Sequence, residues 1–87
     1  MNTYSYHPIG VCAKRIDFSL DQNCIQNLSF EGGCPGNLKA IALLLEGENA
    51  NIAIKKLKGN RCGNRLTSCA DQLARALEDA LIKEKTL

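Results

Sequence analysis

The chain has no tryptophan, one methionine, one histidine and two prolines, and its aromatic side chains amount to two tyrosines and two phenylalanines. Large buried rings therefore contribute little to any core. A long apolar run is also missing. The strongest, AIALLL at residues 40–45, falls far short of the roughly 20 residues that a membrane-crossing helix needs. The opening MNTYSYHPIG has neither the basic nor the apolar segment of a secretory signal. The expectation is a soluble, cytoplasmic protein with no membrane association. Net charge is only +2, too small an excess to point to nucleic acid. No carboxylate pair, general base or nucleophilic triad stands out, so independent catalysis is not expected. The 87 residues read as one domain, 1–87, and at that length folding buries only about 60–65% of the unfolded chain's surface. Scaffolds this small commonly add a metal, disulfides or oligomerisation.

What is present is cysteine: five of them, with seven glycines. In the cytoplasm thiols are kept reduced, so clustered cysteines favour metal or redox chemistry over structural disulfides, and an odd count argues the same way. The stretch RCGNRLTSCADQL, residues 61–73, sets Cys62 and Cys69 at the two ends of a tight loop, with Cys69 on the first turn of an expected helix. Cys34, in EGGCPGN, feeds another helix. Both positions lie in the positive field of unpaired helix N–H groups, which favours thiolate over thiol. Cys12 follows PIGV at the start of an expected strand. Gly10, Gly32, Gly33 and Gly63 flank three of these thiols, as suits backbone that must approach a bound group.

Four converging thiolates, Cys12, Cys34, Cys62 and Cys69, would complete a tetrahedral zinc site or ligate an iron–sulfur cluster. No C-x-x-C pair sharpens the pattern, so redox thiols and inert buried cysteines stand beside that reading. Cys24 is set apart. It begins a strand with no glycine beside it and reads as a small buried apolar residue. His7, before Pro8, reads as solvated rather than as a ligand beside Cys12. Lys55, Lys56, Lys58, Arg61 and Arg65 form a basic segment, with no acid between Glu48 and Asp71. It reads either as a solvated helix end or as the neighbour of an anion, a nucleotide phosphate or the thiolates themselves. Zinc with four thiolates carries net charge −2, which Arg61 and Arg65 would partly offset. The GGCPGN loop lacks the G-K-[ST] ending of a P-loop.

The periodicity around these motifs predicts an α+β domain: a two- or three-stranded antiparallel sheet, then about three helices. Residues 3–8 read as an edge strand ending at Pro8. Ile16, Phe18 and Leu20 alternate with Arg15, Asp17 and Ser19, a half-buried strand. DQN at 21–23 is a turn, and CIQNLSF returns as a second strand. Ile25 is out of phase with Leu28 and Phe30, which predicts a bulge near Gln26 and Asn27. A helix capped by Asn37 and stopped by Gly47 is apolar nearly all round, so it should be central and buried. A second helix covers 50–58, stopped by Gly59. The longest covers 68–84, opened by a capping box from Ser68 to Asp71 and carrying one stripe of Leu73, Ala74, Leu77, Ala80 and Leu81.

GVCAKRIDFSL, FEGGCPGNLKAI and LKGNRCGNRLTSCADQLARAL together resemble the TSCPD-domain family over about residues 9–82. Ala70 stands where the family's name motif has proline, a mild change in a helix's first turn. The family occurs as small stand-alone bacterial proteins and at the C-terminus of cobalamin-dependent ribonucleotide reductases. The resemblance therefore implies an accessory link to ribonucleoside-diphosphate reductase, an oxidoreductase of DNA precursor synthesis, or a thiol redox and nucleotide-binding component of it. A more distant resemblance is to iron–sulfur scaffold proteins of the IscU and NifU N-terminal type, whose three cluster cysteines fall at Cys12, Cys34 and Cys69. The scaffold's aspartate after the first cysteine is Lys14 here, and its histidine before the third is Ser68. Cys62 would supply a fourth ligand. The implied partners are ribonucleotide reductase or iron–sulfur machinery, and the oligomeric state, a homodimer included, stays open.

Overall fold

Gln22 and Asn23 both take positive φ, 51° and 66°, the combination that a two-residue hairpin turn requires for its twist to match the flanking strands. The expected DQN turn therefore forms, and it joins β2 (Ala13–Asp21) to β3 (Cys24–Gly32). β1 (Asn2–Tyr6) pairs antiparallel on the other side of β2, giving the order β1-β2-β3. The computed structural model describes residues 1–33, 35–61 and 63–85. After the sheet come α1 (Pro35–Leu45), α2 (Ala50–Leu57) and α3 (Cys69–Lys85), so the architecture is α+β as expected.

The bulge lies where the phase break placed it. Asp17 pairs with Ser29 and Ser19 with Gln26, so Phe18 alone faces Asn27 and Leu28. Asn27 sits at φ 55°, and its N–H donates to the Glu46 carboxylate at 2.9 Å. The extra residue brings Ile25 and Leu28 onto one face, and both are buried. A second register shift, between Ala13 and Arg15, falls beside Cys12 at the start of β2. The edge of β3 is partly closed by the loop after α1: Ile25 donates to the Glu48 carbonyl and accepts from the Gly47 N–H.

Ile16, Phe18, Leu20, Ile25 and Leu28 form one side of the core, and Ala50, Ala53, Leu73, Ala76, Leu77 and Ala80 form the other. The small side chains of α2 and α3 let those two helices pack closely on each other. The expectation for α1 is overturned here. Among its described side chains Leu38 is buried, while Leu43 and Leu44 remain 70% and 79% exposed. α1 lies along β3 at the flank and α3 is the central helix, because α3 concentrates its apolar residues on one stripe that the sheet can cover. α1 also begins at Pro35, two residues before the expected cap, at a position where a missing N–H costs nothing. Ser19 departs from the alternation as well. It is buried on the outer face, flanked by Thr3 and Gln26, and bonds the Thr3 hydroxyl at 3.0 Å.

The edge strand is fastened to the end of α3. Asn2 Nδ2 donates to Glu84 Oε2 at 2.6 Å, and the Tyr4 hydroxyl donates to the same oxygen. Burial, then the hydrogen bond and the negative charge of Glu84, push the Tyr4 phenol up to about 12 from its ordinary 10.0. The bonds from Tyr4 and Asn2 hold Glu84 below its ordinary 4.5. A phenol raised in the folded state contributes stability that is complete below its unfolded value and is lost as pH rises through the folded one. Melting temperature should therefore fall between pH 10.0 and about 12, and Tyr4→Phe should flatten that fall. An unchanged alkaline profile in the variant would show that the fastening contributes nothing.

Candidate functional site

The N-terminus of α3 is built by its own polar residues. Ser68 Oγ accepts the Asp71 N–H at 3.0 Å, the bond expected of an N-cap, and donates to the Asn60 carbonyl at 2.7 Å. The other half of the expected capping box is replaced. The Asp71 carboxylate, 0% exposed, accepts the Gly59 N–H at 2.6 Å, Arg75 Nε at 3.0 Å and the Thr67 hydroxyl. Burial pushes this carboxyl up, but the bonds from Thr67, Gly59 and Arg75 and the Arg75 charge outweigh it and hold the pKa below the usual range. Gln72 continues the network, accepting the Ile9 N–H at 3.1 Å and donating to Thr67 Oγ1 at 3.0 Å.

Three separate segments are thereby fixed at one point: the loop before Cys12, the turn at Gly59 and Asn60, and the start of α3. Thr67, Ser68, Asp71 and Gln72 do the fastening. Cys69 and Ala70, between them, line a cavity of about 260 Å³ together with Cys12, Leu38, Arg61 and Arg65. Helix capping by Ser68 is legible in the sequence, whereas the role of Thr67, Asp71 and Gln72 in placing Cys12 and Cys69 is not. The available signal was two polar residues, Asp71 and Gln72, on a helix turn otherwise made of Ala and Leu.

Cys12 is exposed and Cys69 half-buried, and both border the cavity. Cys34 and Cys62 lie outside the described residues. Arg61 lines the cavity, and Gly33, at φ 82°, packs so closely that a Cβ there would meet Leu38 Cδ1 at 2.7 Å. Among the described residues no three His, Cys, Asp or Glu side chains form a metal-binding group. Arg65 Nη1 donates to Cys12 Sγ at 3.4 Å.

The basic segment divides. Lys55 and Lys56 are exposed on the last turn of α2, where their charge suits the helix end. Lys58 pairs with Glu78 of α3 at 2.9 Å, so the stretch without acids is met by one from elsewhere. Arg61 and Arg65 face the cavity. His7 is exposed just beyond β1, and its charge acts on Asp17 of the sheet's outer face. Cys24 is half-buried and bridges to Asn49 at the opposite end of β2. Nine strand residues separate the ends, about 30 Å at the usual rise. Cys24 takes no part in the cavity.

Bordering the cavity are one sulfur from the start of α3, one from the segment before β2, and two guanidinium groups. No curated protein and no solved structure gives a significant match to the chain. The TSCPD domain family profile matches residues 1–81, and this match does not extend to the IscU and NifU scaffold type. The matched span contains every segment that lines the cavity and the TSCAD turn at the start of α3, and the chain belongs to the TSCPD-domain family.

Proposed function

We propose that this domain binds zinc or an iron–sulfur cluster through Cys12, Cys34, Cys62 and Cys69, as an accessory to ribonucleotide reduction or cluster handling. The observation that supports it is the meeting of Cys12 and Cys69 at one cavity, from the start of β2 and the start of α3. Zinc would act there as a structural ion, whereas a cluster would supply one-electron chemistry. The chain's own part is to hold the thiols in place, through the Ser68 and Asp71 bonds, and to balance their charge with Arg61 and Arg65. The accessory role follows from the family resemblance.

Metal analysis and an absorption spectrum of the full chain, purified without oxygen, test this directly. Stoichiometric zinc in a colourless protein, or iron and sulfide with visible absorption, is the expected result. A second reading, a nucleotide-binding thiol component of the reductase, is favoured by the two arginines at the cavity. It predicts no stoichiometric metal and amide shifts at Arg61 and Arg65 on titration with a nucleoside diphosphate. That pair of results would sink the metal reading.

A further inference from the structure

Cys12 and Cys69 are served differently by the fold. Cys69 is the first residue of α3 and is half-buried, so the helix start and its capping bonds hold it in place. Cys12 precedes a β-strand and is exposed, so its own element does not hold its side chain. What reaches its sulfur is Arg65, from the loop between Cys62 and Cys69, with Nη1 at 3.4 Å. The same arginine lines the cavity.

We propose that Arg65 is a positioning residue for Cys12 as a metal ligand, hydrogen-bonding its sulfur and balancing thiolate charge at the open side of the site. This rests on the metal reading above. A hydrogen bond to a ligating thiolate draws electron density from the sulfur, fixes its direction and offsets the negative charge of the ligand set. Arginine suits the task better than lysine. Its planar fork keeps one N–H on the sulfur while other N–H groups serve other partners, and it stays charged at any working pH. The contact also ties the Cys62–Cys69 loop to the segment before β2, so the loop is oriented with respect to Cys12 before any ion arrives.

The test uses the full chain, with zinc affinity read by competition against a chromophoric chelator and the sulfur-to-metal charge-transfer band read after cobalt loading. R65Q should weaken zinc binding by roughly 10–100-fold, the usual cost of losing an outer partner of a metal ligand. It should also shift the cobalt band, because the sulfur's electron density changes. R65K should recover part of the affinity through its charge. Wild-type affinity within about threefold in R65Q, well under the usual cost, overturns the inference. So does an affinity loss accompanied by a lower melting temperature of the metal-free protein and an unchanged band, which marks a merely structural role. Absence of zinc and cobalt binding in the wild type overturns this inference together with the metal reading, whereas normal binding by wild type and R65Q alike overturns this one alone.

Discussion

Replacing any one of Cys12, Cys34, Cys62 or Cys69 with serine should abolish stoichiometric metal and lower the melting temperature by roughly 15–30 °C. That range follows from linkage. A ligand about a thousandfold above its Kd stabilises the folded state by about 4 kcal/mol, and each kcal/mol moves the midpoint of a domain this size by about 4–8 °C. A site spanning the start of β2 and the start of α3 makes binding energy into folding energy, because the unfolded chain does not hold the thiols together. Cys24→Ser should do neither, since that residue lies at the far end of the sheet and is only half-buried. Redox thiols predict another pattern, with activity lost and stability nearly intact. Inert cysteines predict a third, in which all five substitutions cost similar small amounts. Thermal melts with and without chelator, beside metal analysis of each variant, separate the three.

Asp71→Ala should destabilise the metal-free protein by about 3 kcal/mol or more, a fall of roughly 12–24 °C in melting temperature. The carboxylate is fully buried and accepts from Gly59, Thr67 and Arg75. Removing it takes the partner from a backbone N–H and weakens the fastening of the turn before Arg61 to α3, where the Ser68–Asn60 bonds remain. Asp71→Asn should fall between, because an amide oxygen still accepts while the amide N–H₂ confronts donors. Ser68→Ala should cost about 1 kcal/mol, the usual value of a lost N-cap. Chelator-treated protein is the proper sample, since it removes any contribution from the thiols. An Asp71→Ala variant melting within a few degrees of wild type would refute the view that this network holds the loop.

Local chemistry made much of the fold legible before any coordinates. Alternation over Ile16, Phe18 and Leu20 identified β2, the phase slip at Ile25 located the bulge at Asn27, and Ser68 marked the start of α3. These signals depend on spacings of a few residues, which the chain encodes directly. The resemblance carried by the four cysteine motifs likewise identified the family without tertiary information.

Other features depended on which surfaces meet. α1 is apolar nearly all round, yet α3 became the central helix, because burial follows the face an element presents and not its total hydrophobicity. Lys58 looked unopposed until the packing of α2 on α3 brought Glu78 beside it. Ser19 belonged to the polar face by period, but Thr3 of β1 and Gln26 of β3 flank it there and cover it. The sequence by itself determined the elements, the Ser68 cap of α3 and the four motif cysteines. Only the tertiary structure decided that Cys12 and Cys69 share a cavity with Arg61 and Arg65. That outcome rests on contacts between residues far apart in the chain, which no local periodicity encodes.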